Sequence, residues 1–235
     1  MRTRQRIGAG FIASHVPARA GVWILIWKDW VQTWRGFDIR SVISWLALFA
    51  MGFGMMIAPD WGTRIWVFIV WGLLIGQVCS KRFASDLNHW VVFRQLPFSG
   101  KEILLAEIAI SVIGVTLLCW FAFGICSLIG LHPNLPVAVL APGMILCITL
   151  AAAFDILRLC KADGLMAGHT AEMGAVGLIF GLLLAGLPLV LIIWISDHIS
   201  GGVILWVISL LGLFLILGIA YGMWQLTASQ YKKIK

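Results

Sequence analysis

Few side chains in this chain are equipped for chemistry, and their spacing excludes the common devices. The five histidines, His15, His89, His132, His169 and His198, all fall in polar tails or loops, and no CxxCH occurs. Haem or pigment ligation within an apolar segment therefore lacks its usual ligand. A phosphate-binding P-loop needs G-x-x-x-x-G-K-[ST], so that backbone N–H groups wrap a phosphate and the lysine pairs with it. Ser99-Gly100-Lys101 is only a fragment of that pattern: Glu102 follows it, and Gln95 stands where the first glycine should be. Neither HExxH nor GxSxG is present. The cysteines Cys79, Cys119, Cys126, Cys147 and Cys160 contain no CxxC, and four lie in or at the ends of apolar segments. They read as small buried apolar residues of a reducing compartment rather than as a disulfide frame. No catalytic residues and no metal site are expected.

Two acidic residues lie within apolar segments, Glu107 and Asp155, and form the candidate intramembrane polar site. A charge in such a position marks an ion or proton path by default. Asp155 has Arg158 three residues on, the spacing of a local ion pair. Glu107 lies about two helical turns into its segment. It is placed to snorkel, to pair with a basic loop residue, or to act functionally.

The elements around these residues are apolar. Apolar residues make up 61% of the 235 and charged residues 11%, against about 25% charged in soluble domains. The expected class is an all-α membrane protein of one domain. Arg2, Arg4 and Arg6 resemble the basic start of a signal peptide, but no apolar core of sufficient length precedes Ala18 or Gly21. Six apolar segments are read at approximately Ser41–Ala58, Arg64–Cys79, Ile103–Leu131, Val137–Leu157, Gly174–Ile195 and Gly202–Leu226. A bilayer core is crossed by about 20 helical residues, so each reads as one span. The domain organisation expected is a tail and interfacial helix over 1–40, a six-helix transmembrane domain over 41–226 with a loop at 80–102, and a basic tail over 227–235.

With six spans, the N-terminal region, the second and fourth loops and the C-terminal tail share one side. They carry seven, four, two and three Lys/Arg, leaving only Arg64 of the 17 on the other side. The positive-inside rule then places both termini and the 81–102 loop in the cytoplasm. Trp23, Trp27, Trp30 and Trp34 recur at i, i+4, i+7 and i+11, within roughly 60° of one another on a helix. Such a stripe suits an amphipathic helix lying at headgroup level. Small-xxx-small pairs at Gly72/Gly76, Gly177/Gly181 and Gly218/Gly222 predict close helix packing within the bundle, and Pro188 predicts a kink in the fifth span.

The longest polar break is Lys81–Glu107. If Arg82–Gln95 is helical, Phe83, Leu87, Trp90 and Val91 share one face. Val92 and Phe93 then fall among Asp86, His89 and Arg94, which suggests a small protein-contact patch. Insertion of both into headgroups is the equal alternative. Leu96-Pro97 ends that helix, and Ser99-Gly100-Lys101-Glu102 matches a capping box opening the next.

This layout resembles the membrane subunit of ABC-2 type exporters. The interfacial helix entering through Trp27-Lys28-Asp29-Trp30, the six spans and the run Phe93-Arg94-Gln95-Leu96-Pro97-Phe98-Ser99-Gly100-Lys101-Glu102-Ile103-Leu104 carry the likeness. The resemblance implies a permease in a bacterial plasma (inner) membrane, paired with an identical or second permease as a homodimer or heterodimer. It implies cytoplasmic P-loop ATPase subunits as partners, which hold ATP and Mg, so that this chain has no cofactor and is not itself an enzyme. Asp86, His89, Val92, Phe93, Arg94, Leu96, Pro97, Ser99 and Glu102 would form the ATPase-coupling loop, and Trp23 to Trp34 the connecting helix. Two features depart from the pattern: Ser196–Gly201 is short where many relatives carry an extra outer hairpin, and Glu107 replaces a Lys or a neutral residue. The alternative reading is a non-transporting scaffold or accessory subunit of a membrane complex, and neither reading involves nucleic acid.

Overall fold

The computed structural model describes residues 22–35, 39–87, 99–162, 175–198 and 202–234. These form seven helices: α1 (Val22–Arg35), α2 (Ile39–Ile57), α3 (Trp61–Leu87), α4 (Gly100–Leu128), α5 (Leu135–Ala162), α6 (Ala175–Asp197) and α7 (Gly202–Ile234). Five of them, α2, α3, α4, α5 and α7, are long and apolar enough to cross a membrane. The described apolar stretch of α6, Ile179–Ile195, is 17 residues long and falls just short of that length.

Helix α5 is the centre of the bundle. It packs against α7, α6, α3, α4 and α2, and 78% of its apolar window is buried against 22% for α2 and for α7. Its sequence explains why it can sit there. Ala138, Ala141, Ala151, Ala152 and Ala153 are all buried, and small side chains let neighbouring backbones approach where lipid gives no hydrophobic drive to association. Pro142 lies within this helix and removes the N–H that would bond the Ala138 carbonyl four residues back. Trp120 of α4 donates its indole N–H to that carbonyl at 3.1 Å, so a neighbouring helix supplies the missing donor.

The glycine pairs separate by position. A Cβ on Gly181 would lie 2.5 Å from the Ala151 Cβ, and one on Gly177 would run into Asp155 and the Ala151 carbonyl. This pair is the α5–α6 seam. Gly218 and Gly222 meet no neighbour and face outward from α7. Three buried hydroxyls bond their own backbones, Thr149 to the Ile145 carbonyl, Ser209 to Leu205 and Thr227 to Met223, each at 2.7–2.8 Å, while those of Ser80 and Thr116 make no hydrogen bond.

Two helices run past the apolar segments read from the sequence. α3 begins at Trp61 and runs on through Lys81 and Arg82 to Leu87, so residues 80–87 are helix continuous with the second apolar segment. α7 likewise continues to Ile234, carrying most of the basic tail. Neither stretch contains Gly or Pro, and a helix needs no apolar side chains to keep its ladder. α4 ends where a backbone device stops it. Gly130 adopts φ +79°, while Gly130 N–H bonds Ser127 O at 3.2 Å and Leu131 N–H bonds Cys126 O at 3.0 Å, a Schellman motif. Asn134 N–H then bonds Met56 O at 3.1 Å, tying the α4–α5 turn to the end of α2.

Leucine at Gly181 should destabilise the bundle by about 1–3 kcal/mol through overpacking. Gly218→Leu, in open space, should leave the melting temperature in detergent unchanged or slightly raised. Equal effects of the two substitutions would contradict the α5–α6 seam.

Candidate functional site

Described helix stands on both sides of the polar stretch, α3 before it and α4 after it. Asp86 lies in the last turn of α3. His89, Val92, Phe93, Arg94, Leu96 and Pro97 fall outside the described residues. The far side of the frame is fully described. Ser99 takes an extended backbone, φ −72° and ψ 153°, and its Oγ accepts from the Glu102 N–H at 3.3 Å. Glu102 reaches back to accept from the Ser99 N–H at 2.7 Å and from its hydroxyl at 2.9 Å. The capping box is therefore present, and α4 starts at Gly100 with two of its orphan N–H donors satisfied. α4 then holds Ile103, Leu104, Ala106 and Glu107 in the interior within its first two turns. A force on residue 99 is thus delivered to the core of the bundle.

Glu107 is 8% exposed, so it does not snorkel. It lines a small cavity between α3, α4 and α5 with Cys79, Phe83, Ser111 and Thr149. The cavity volume is about 10 Å³, at the threshold for one water. Cys79 Sγ lies 3.6 Å from Thr149 Oγ1. Ser111 stands one turn beyond Glu107 on the same face of α4, a spacing that marks the cluster once Glu107 is known to be buried. Cys79 and Thr149 come from other helices and carry no sequence signal of the contact.

Asp155 does something different from the local pairing its sequence spacing offered. It is 5% exposed, and its carboxylate accepts from the Gly177 N–H of α6 at 3.1 Å, while Arg158 is exposed. Gly177 is the third residue of α6, so Asp155 caps a neighbouring helix whose N-terminal end carries positive partial charge. Glu107 and Asp155 lie on different seams, α3–α4–α5 and α5–α6, and have separate settings rather than one shared site.

On α1, Trp23, Trp27 and Trp30 are 65%, 37% and 49% exposed, whereas Leu25, on the opposite face, is 5% exposed. α1 packs on α4 through that opposite face. The side chain of Trp34 lies outside the described residues. At the other end of the bundle Asp60 caps α3, accepting from the Thr63 N–H and hydroxyl, both at 2.8 Å. These bonds, with Arg64 nearby, hold its carboxyl below the usual carboxylate range. Among the described residues no group of three or more His, Cys, Asp or Glu is gathered in a way that could hold a metal ion.

The described residues are helical without strands, and five helices long and apolar enough to cross a membrane mark the chain as an integral membrane protein. No protein-family model matches it, and no curated protein and no solved structure is significantly similar to it.

Ser99→Ala should cost about 1 kcal/mol of local stability at the start of α4. Hydrogen exchange of the amides of residues 101–103 should quicken while those of Ile145–Ala153 stay protected. Unchanged exchange at 101–103 would show that the cap does not hold this end.

Proposed function

We propose that this chain is the permease subunit of an ABC-2-like exporter, coupling ATP hydrolysis in a separate cytoplasmic ATPase to substrate movement across the membrane. The observation that carries the reading is the frame around residues 88–98. A 27-residue α3 runs past its apolar portion as far as Leu87, and a capped α4 starts at Gly100. A load on the segment between them would be passed to two membrane-crossing helices. α1, with Trp23, Trp27 and Trp30 outward and Leu25 against the bundle, supports the same reading.

In this proposal α6 is the fifth of six spans, with the twelve residues of 163–174 between it and α5. Both termini and the 81–102 region face the cytoplasm, because 16 of 17 Lys/Arg fall on that side. Asp86 to Arg94 is the docking segment, with Val92 and Phe93 as its apolar centre. Closure of an ATPase pair would move this segment, and movement of α3 and α4 against the α5-centred core would open or close a path between two copies. The chain itself supplies no bond-breaking step. ATP and Mg belong to the partner.

Purification from its native membrane in mild detergent should bring down a P-loop ATPase. Phe93→Asp or Arg94→Glu should abolish that association, with helix content and elution volume unchanged. Recovery of the chain with membrane subunits only, and no ATPase, would contradict the permease and favour a scaffold or accessory subunit.

A further inference from the structure

A large crevice lies away from the polar segment, on the flank between α3 and α6. These helices run antiparallel and meet closely at two levels. A Cβ on Gly186 would lie 2.9 Å from the Phe68 ring, and one on Gly72 would run into Leu182. Around those touching points a crevice of about 410 Å³ remains, floored by Met55 and Val137. Its volume falls in the range of about 300–1,000 Å³ usual for small-molecule sites. The rim is apolar and open: Ile65, Leu183 and Leu187 are 42%, 56% and 68% exposed. In a membrane-crossing bundle this opening faces hydrocarbon, and a gap left unfilled there forfeits dispersion contacts along its whole lining.

The lining has a single charged residue, Arg64, in the first turn of α3. The α3–α6 register sets its level: Phe68 opposes Gly186 and Gly72 opposes Leu182, so Arg64 stands opposite Val190, near the end of α6. Its Nε donates to the Ala58 carbonyl at 2.8 Å, which fixes the guanidinium at that end of the crevice. Asp60 is close by and offsets part of the Arg64 charge, while its two oxygens accept from Thr63. The crevice thus presents a long apolar wall closed at one end by a planar cation. Guanidinium matches phosphate geometry through parallel N–H donors.

We propose that this crevice is a binding site for a membrane phospholipid, with one acyl chain between α3 and α6 and the phosphate at Arg64. The assignment rests on the membrane character of the chain and not on the transport reading, so either can fail alone. A resident lipid would complete the packing of the α3–α6 flank around the close approaches at Gly72 and Gly186.

The test uses the purified full chain in mild detergent, offered phosphatidylglycerol and a diacylglycerol with the same acyl chains, with bound lipid read by native mass spectrometry. The wild type should hold phosphatidylglycerol in preference to diacylglycerol. Arg64→Gln should reduce that preference about tenfold, the loss expected when a charge-assisted hydrogen bond is removed. Ile65→Trp, which fills the crevice from an exposed position, should exclude both lipids. Arg40→Gln, an exposed arginine outside the crevice, should change nothing. Equal binding of the two lipids by the wild type, or undiminished preference in Arg64→Gln, would overturn the proposal. So would a wild-type dimer without lipid that Ile65→Trp dissociates, which would put a second copy in the crevice. Should Arg64→Gln not purify as a helical protein, Ile65→Trp decides alone, and unchanged phosphatidylglycerol binding would overturn it.

Discussion

Close backbone approach along α5 is the constraint on which the rest of the structure depends. Lipid tails are as apolar as leucine, so helices in a bilayer associate through packing and hydrogen bonds rather than through escape from water. α5 meets this constraint with alanines, with the glycines of α6 that face Ala151 and Asp155, and with a proline whose orphaned acceptor is served by Trp120. Everything else is arranged around that helix. α2 and α7 leave most of their surface to lipid, as their low burial shows. α1 is held at the edge by Leu25 and keeps Trp23, Trp27 and Trp30 outward.

The polar groups within the bundle follow the same economy. Most hydroxyls bond their own helix, Asp155 caps α6 from α5, and Glu107 is enclosed with Ser111, Thr149 and Cys79 where α3, α4 and α5 meet. The Glu107 cluster lies just inside the frame made by the end of α3 and the capped start of α4. The most polar setting within the described core is therefore adjacent to the segment assigned to docking. The opposite end of α3 begins at Asp60 and Arg64 and opens onto the lipid-facing crevice. One helix thus connects the two parts of the molecule to which function is ascribed.

Much of this was legible in the sequence, for identifiable reasons. The tryptophan spacing at 23, 27 and 30 fixed a face, because helical phase is a property of the backbone alone. Ser99 and Glu102 were readable as a cap because their reciprocal bonds are local. Apolar length located the membrane-crossing helices. What could not be read depends on partners distant in the chain. Asp155 has Arg158 at a suitable spacing but bonds Gly177, 22 residues on. Cys79 and Thr149 meet across 70 residues. The crevice exists because of the register between α3 and α6, which no local pattern encodes. α3 and α7 run on to Leu87 and Ile234, past their apolar segments, for another reason: a drop in hydropathy marks where apolar contact ends, not where the backbone ladder stops.

The central claim is that the frame around residues 88–98 faces the cytoplasm while the Asp60–Arg64 end faces outward. Single cysteines placed at Ser99 and at Asp60, in a chain whose five native cysteines are replaced, would test it most directly. With an impermeant maleimide on intact cells, the cysteine at 60 should label and the one at 99 should label only after permeabilisation. Labelling of position 99 in intact cells, with protection of position 60, would contradict the account.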